Sequence, residues 1–174
     1  HPFNSPRYMR EVLLPAIEEG LSKESDALRL SKGRKHALSP VEGRKDISVS
    51  VTAFVATSPE EESFARMQIA FYASTPSYKA VMDFHGWGET AEKLSGFAAK
   101  GEWAEMPMLI TDEMLNEFCL VTTQEKLADD LKKRYDGPST GSGQRIADRL
   151  TLYTPFVPGE KDEWWRGLAK AFKS

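Results

Sequence analysis

The chain has 174 residues, of which 40 % are hydrophobic and 28 % are charged, a composition typical of one globular domain. The formal net charge of −3 argues against the strongly basic surface that binds nucleic acid or acidic membranes, so we expect neither partner. A single cysteine, Cys119, excludes an internal disulfide framework and favours a reducing, cytoplasmic location. No apolar run approaches the roughly 20 residues that a membrane helix needs.

The chain opens with a loop that leads into a helix. Ser5 followed by Pro6 is typical of a helix start, since a hydroxyl caps the helix and proline fits its first turn. Pro15 is expected to kink or break this helix, and Gly20 marks its end region. Because the first residue is His1 and not methionine, we expect that the chain was processed or is a piece of something longer.

Residues 23–46 are polar, carry many lysines and arginines and show no steady hydrophobic period. We predict a long basic loop here, in which a short helix around Asp26–Leu30 is the one regular element that the sequence allows. A contact with a phosphate group is an alternative, but a solvated connector is the simpler interpretation.

Two segments have the pattern of β-strands. The clearest is Ile47–Ala56, in which small or apolar residues occupy both alternating faces, as in a strand covered on both sides. The second is Ala147–Thr154.

Helices are predicted between and after these strands. Ser58-Pro59-Glu60-Glu61 is a capping box, and its helix should run to about Tyr72. That helix is expected to bury mostly Phe64, Met67, Ile69, Ala70 and Phe71. Further helical segments are expected over residues 75–84, 91–99, 112–118, 122–135 and 160–172. Strands that alternate with helices indicate an α/β fold with a parallel sheet.

Several motifs together resemble a known family. They are HPFNSPRY at residues 1–8, FYASTPSY at 71–78, FHGWG at 84–88, TDEML at 111–115, the run 121–135 and DRLTLY at 148–153. These segments resemble the C-terminal portion of the bacterial-luciferase-like oxidoreductases, which use a flavin or a deazaflavin.

The resemblance implies a (β/α)8 TIM barrel of which this chain is only an incomplete part. Ile47–Ala56 would be strand seven, Ala147–Thr154 would be strand eight, and the helices between them would include a helical insertion. Residues 1–174 would then form a single partial domain, because a complete barrel needs about 250 residues.

The resemblance also implies where a site would lie, since active sites of barrels lie at the carboxyl ends of the strands. His1, Asn4, Arg7 and Tyr8, on the loop after strand six, are candidates to contact the cofactor, which would be a deazaflavin coenzyme or FMN. The alternative for these residues is a helix cap and surface. Candidates for the substrate pocket are five polar and aromatic residues: Tyr72, Ser74, Tyr78, Trp87 and Tyr153.

His85 is the one candidate for proton transfer, because the pKa of a histidine lies near neutrality. A histidine that packs within the helical insertion and bonds to backbone is the simpler interpretation. Three histidines and one cysteine, widely spaced, predict no metal site.

The function implied by the resemblance is hydride transfer to or from a small organic substrate, or its monooxygenation. The alternative is a non-catalytic, truncated or proteolysed barrel fragment. We expect the isolated chain to be inactive, to bind the cofactor weakly, and to pair with a missing N-terminal part or with itself, because strand edges invite partners.

Overall fold

Three parallel strands form the sheet in the structure, a computed structural model that describes residues 3–32, 48–135 and 146–172. The strands are β1 (Ser50–Ala56), β2 (Cys119–Val121) and β3 (Arg149–Tyr153), in the spatial order β2-β1-β3. Both outer strands run parallel to β1. The predicted α/β class with a parallel sheet is therefore confirmed.

The two predicted strands are present, and a third was missed. β1 and β3 lie inside the predicted segments, with register Ser50↔Arg149 through Phe54↔Tyr153. β2 is only three residues long, which is too short to show an alternating pattern in the sequence. It pairs with the carboxyl end of β1, from Phe54↔Cys119 to Ala56↔Val121.

The N-terminal helix is continuous where the sequence predicted a kink or a break, so the break is absent. It comprises α1 (Pro6–Tyr8), a π-helical turn (Met9–Leu13) and α2 (Leu14–Lys32), and α2 includes Pro15. In the π-helical turn the N–H of Leu14 donates to the carbonyl of Met9, five residues back. This wider turn accommodates a proline ring that would collide with the preceding carbonyl in a regular α-helix.

The same helix corrects the predicted loop. Because α2 continues past Gly20 to Lys32, residues 23–32 are helical. The short helix expected around Asp26–Leu30 is present as part of α2, and the prediction of a loop was wrong for the other residues of 23–32. The rest of the predicted loop, residues 33–46, lies outside the described residues.

The other helices follow the predicted order, with boundaries that differ by a few residues. They are α3 (Pro59–Ala73), α4 (Lys79–Phe84), α5 (Gly88–Lys100), α6 (Asp112–Phe118), α7 (Leu127–Tyr135) and α8 (Asp162–Ala171), with 3₁₀ turns at Pro76–Tyr78 and Met106–Leu109. The predicted cap at the start of α3 is present, since the Oγ of Ser58 accepts from the N–H of Glu61 at 3.3 Å.

The two faces of the sheet are covered differently. On one face, Val51, Ala53 and Val55 pack in a core with side chains of α7 and α8, among them Leu131 and Leu168. Among the described residues, cover on the other face is confined to the carboxyl ends of the strands, where Phe3 and residues of α3 and α6 share one core cluster with Phe54.

In the part of the chain that the structure describes, the amino-terminal half of that second face is open. Ser50, Arg149 and Thr151 are exposed there. The prediction that β1 is covered on both sides therefore holds only at its carboxyl end.

The α3 helix turns two large apolar residues toward solvent. Its buried residues are Ala65, Ile69, Ala70 and Ala73. Met67 and Phe71 lie away from these residues on the helix and are 47 % and 48 % exposed, so the prediction that they are buried was wrong. The spacing of apolar residues did not identify the buried side of α3, because apolar residues lie around most of this helix.

Candidate functional site

Aromatic side chains converge where β1 and β3 end. Phe54 and Tyr153 are register partners, and their rings meet edge to face with centroids 4.9 Å apart. Tyr72 of α3 lies 6.0 Å from the ring of Phe54 and 6.3 Å from that of Tyr153. Because the strands are parallel, their carboxyl ends lie at one edge, and a single helix contacts both.

A hydrogen bond fixes one of these rings. The hydroxyl of Tyr153 donates to the Oε1 of Gln68 at 3.0 Å, which joins β3 to α3. Burial, and after it the neighbouring Tyr153 hydroxyl, raises the pKa of Tyr72 above its ordinary value. Tyr72 therefore stays protonated at neutral pH and offers a neutral hydroxyl at the end of the sheet.

Phe3 extends this cluster toward α6 and the 3₁₀ turn at Pro76–Tyr78. Its ring is fully buried and lies 6.0 Å from the rings of both Tyr72 and Tyr78, and 4.4 Å from that of Phe118. The N-terminal loop thus provides the centre of the aromatic packing. We call Phe3, Phe54, Tyr72, Tyr78 and Tyr153 the aromatic cluster.

Of the five residues predicted for the substrate pocket, the structure brings three together and places two elsewhere. Tyr72, Tyr78 and Tyr153 come together in the aromatic cluster. Ser74 is buried, and its hydroxyl donates to the carbonyl of Phe71 at 2.7 Å, so it completes the end of α3. Trp87 lies beyond Phe118, stacked on His85.

His85 is enclosed, with 2 % of its side chain exposed. Its Nε2 lies 2.8 Å from the Oγ of Ser5 and 3.9 Å from a carboxylate oxygen of Glu117. Burial lowers the pKa of His85, and the Glu117 carboxylate acts in the opposite direction. The partner is a side chain rather than the backbone that the simpler interpretation named, and a role in proton transfer stays a prediction.

Two of the predicted cofactor residues of the N-terminal loop contact the end of α4. The ring of Tyr8 meets that of Phe84 edge to face at 5.3 Å, and the Arg7 guanidinium lies 5.1 Å from the centroid of the same ring. Asn4 is half-buried beside Ser5, and His1 lies outside the described residues. A contact of these residues with a cofactor stays a prediction.

Sequence patterns missed a groove that borders the aromatic cluster. It has a volume of about 420 Å³ and is lined by Met67, Gln68, Phe71, Trp103 and Met106. Trp103, in the segment between α5 and α6, is 50 % exposed. The one signal in the sequence is that Trp103 lies in a connector bounded by glycine and proline, where a large aromatic residue is not needed for a helix or a strand.

In the ranges 3–32, 48–135 and 146–172, no group of three or more His, Cys, Asp or Glu residues is placed to hold a metal ion. Burial raises the pKa of the Cys119 thiol to about 12, so this cysteine does not supply a thiolate at neutral pH. Among the same residues, no helix combines the length and the hydropathy required to cross a membrane.

Comparison with known proteins decides the family. The family model described as luciferase-like monooxygenase matches residues 2–140. The chain belongs to the luciferase-like monooxygenase family. Luciferase-like family members commonly use flavin or deazaflavin cofactors.

Relatives of this luciferase-like chain occur in mycobacteria. Uncharacterized proteins of Mycobacterium bovis and of two Mycobacterium tuberculosis strains are each 36 % identical to it over 143 residues. Each match covers 79 % of this chain but 37 % of the relative, so the chain spans little more than a third of these proteins. No solved structure matches the chain significantly.

Proposed function

We propose that this chain is the C-terminal part of a (β/α)8-barrel oxidoreductase, with β1 and β3 as strands seven and eight. The complete enzyme uses a deazaflavin or FMN to transfer hydride to or from a small organic substrate, or to monooxygenate it. The chain contributes one wall of the active site, formed by the aromatic cluster.

The observation that carries this proposal is that one face of the sheet is exposed and polar at the amino-terminal ends of the strands and aromatic at their carboxyl ends. Ser50, Thr52, Arg149 and Thr151 line its amino-terminal half, and all are exposed or only partly buried. At the carboxyl ends the face passes directly into the aromatic pair Phe54 and Tyr153. Parallel sheets are normally covered on both faces. A face that is open among the described residues therefore favours the presence of further strands around a common interior.

The edges of the sheet support the same proposal. β2 pairs only with Phe54, Val55 and Ala56, so the amino-terminal half of that edge of β1 has no partner strand among the described residues. β3 is likewise an edge strand in the described part of the chain. Strands six and one of a barrel would pair at these two edges.

The aromatic cluster fits one side of a flavin or deazaflavin ring system. Tyr72 and Tyr153 offer flat rings and hydroxyls at the carboxyl ends of the strands, and such groups suit a flat ring with a polar edge. When bound, the cofactor supplies two-electron chemistry, and the chain's residues orient it and exclude water. Since one wall alone holds a ligand weakly, we expect weak cofactor binding by the isolated chain.

A titration of cofactor into two proteins tests this proposal. The first is the 174-residue chain, and the second is the whole protein encoded by its gene, each titrated with FMN and with a 5-deazaflavin by fluorescence. The whole protein should bind one of them at micromolar concentration, and Tyr153→Ala should weaken that binding about tenfold, equivalent to about 1.4 kcal/mol. Failure of the whole protein to bind either cofactor would overturn the proposal.

The open edges also favour the second candidate, a non-catalytic fragment that associates with itself. In that case the chain would be a truncated or proteolysed piece of a barrel, without activity of its own, and it would form dimers through strand pairing. Intact mass compared with the encoding reading frame tests whether residues before His1 were lost, because a barrel requires about 150 or more residues before this segment.

A further inference from the structure

We infer that the groove beside the aromatic cluster binds a neutral, ring-containing organic molecule, which is the substrate of the proposed oxidoreductase. That the molecule is the substrate rests on the proposed function. The preference of the groove for a neutral, ring-containing molecule follows from its own residues. The groove is formed by Met67, Gln68, Phe71, Trp103 and Met106 and measures about 420 Å³, within the range of small-ligand sites.

Its side chains define the chemistry of the ligand. The rings of Phe71 and Trp103 lie 6.1 Å apart at an interplanar angle of 38°, and they form an aromatic wall. Met106 is buried at the base, while Met67 is about half exposed at the rim. Thioethers and aromatic faces attract apolar rings, because a ring removes them from water and makes close sulfur and ring contacts.

The absence of charge among the lining residues selects a neutral ligand. None of the five is ionisable. The closest cation along α3, Arg66, is occupied by Glu62, Asp112 and the carbonyl of Ile110. A carboxylate or phosphate ligand would lose its hydration without gaining a counter-charge, which is costly in an apolar groove.

Gln68 gives the groove one oriented polar group. Its Oε1 accepts from the hydroxyl of Tyr153, which leaves the amide N–H groups as donors. A ligand carbonyl or ether oxygen suits these donors. The same residue lines the groove and contacts the aromatic cluster, and Phe71 lies 5.5 Å from the ring of Tyr72. The groove therefore adjoins the wall proposed for the cofactor.

Three large apolar side chains of the groove are exposed next to one another, which is typical of a binding site. Met67, Phe71 and Trp103 are 47 %, 48 % and 50 % exposed and adjoin one another. Clustered large apolar residues on a surface mark a binding site more often than isolated ones do. The groove's small size and its single amide group favour a small molecule over a second protein surface.

Equilibrium dialysis of the whole protein with coumarin, a neutral fused-ring lactone with a carbonyl acceptor, tests the inference. Coumarin should bind saturably, and Trp103→Ala should weaken binding about tenfold, as expected for loss of one aromatic anchor. Gln68→Glu keeps an acceptor for Tyr153 but presents a carboxylate to the lactone, so it should weaken binding as well. Coumarin-3-carboxylate should bind at least about tenfold more weakly than coumarin, because its charge finds no partner.

Met108→Ala is the matched control, because Met108 is 80 % exposed and lies outside the groove. It should leave coumarin binding unchanged. FMN and deazaflavin titrations of the same variants separate the two proposals. If the protein binds cofactor but no coumarin, the inference that the groove binds a neutral ring is overturned. If it binds coumarin but no cofactor, the proposed function is overturned.

Occupation of the groove by protein would also overturn the inference. Methionine oxidation in the unliganded whole protein should modify both Met67 and Met108, since both are accessible here. Protection of Met67 alone would show that another part of the protein or a second copy covers the groove. Conversion of a dimer into a monomer by Trp103→Ala would assign the groove to a subunit interface.

Discussion

His85 shows how a buried polar residue in this protein is accommodated by its neighbours. Its imidazole stacks on Trp87 with centroids 4.7 Å apart and bonds to Ser5, whose Oγ also accepts from the N–H of Tyr8 at 3.0 Å. The neutral ring satisfies Ser5 without the desolvation cost that an imidazolium would carry in the same place. The arrangement connects the N-terminal loop to the end of α4.

Stability should therefore depend on pH through His85. Because burial lowers the pKa of His85 in the folded state, its contribution is complete above the unfolded value of about 6.5 and is lost as pH falls below that value. The free energy of unfolding, from urea titrations between pH 7.5 and 5, should fall by at most about 1.4 kcal/mol per pH unit from this group.

His85→Phe should flatten that dependence, and His36→Gln, which removes a different histidine, serves as its control. An unchanged pH profile in His85→Phe would contradict the account of the buried neutral ring.

At the scale of elements, one carboxylate holds the corner between β1 and α3 against α8. Glu61 accepts from the N–H of Thr57 at 2.6 Å and from its hydroxyl at 2.8 Å, and it pairs with Lys161 at 2.9 Å. Burial alone would raise the pKa of Glu61, but hydrogen bonds from Lys161 and Thr57 outweigh it and lower the pKa. Lys161, with φ of 57°, adopts a left-handed conformation.

Glu61→Gln should destabilise the chain by about 1–2 kcal/mol, because it removes charged hydrogen bonds at a mostly buried site. Glu61 has a lowered pKa, so its contribution is present above the unfolded value of about 4.3 and is lost as pH falls through the folded value. The variant should accordingly lose less stability than the wild type between pH 5 and 3 in urea titrations.

Glu60→Gln changes the neighbouring exposed acid and should have a much smaller effect. Equal destabilisation by both substitutions would indicate a general effect of charge at the start of α3 instead of the corner contact.

At the scale of the whole molecule, the sheet is incomplete within the described residues. Its outer edge at β3 and the amino-terminal half of one edge of β1 present backbone groups without strand partners there. Such edges pair readily with other strands. The same property underlies both the proposed barrel of the whole protein and the expected self-association of the isolated chain.

The isolated chain should therefore form dimers or larger oligomers at micromolar concentration, as measured by light scattering. Thr151→Lys places a charge on the exposed side of the edge strand β3 and should shift the chain toward monomer, because lysine on an edge opposes pairing. Ser77→Lys adds the same charge at an exposed position away from the sheet and should not. A wild-type chain that stays strictly monomeric would contradict this expectation.

Local patterns in the sequence predicted local structure well. The cap at Ser58, the helix over 112–118 and the alternation that marks β1 and β3 all depend on neighbouring residues, so they are visible in the chain itself. The prediction failed where a distant contact or a rare turn decided the outcome. The π-helical turn before Pro15 and the short strand β2 are examples.

By itself the sequence determined the α/β class, the order of elements, and the family resemblance, because each depends on residue types at short spacing. Only the tertiary structure decided which side chains meet. It brought Phe3 to Tyr72 and Gln68 to Tyr153, and it left Phe71 and Trp103 exposed side by side. Those contacts join residues distant in the chain, and they depend on how helices pack across the sheet, which no spacing along the sequence records.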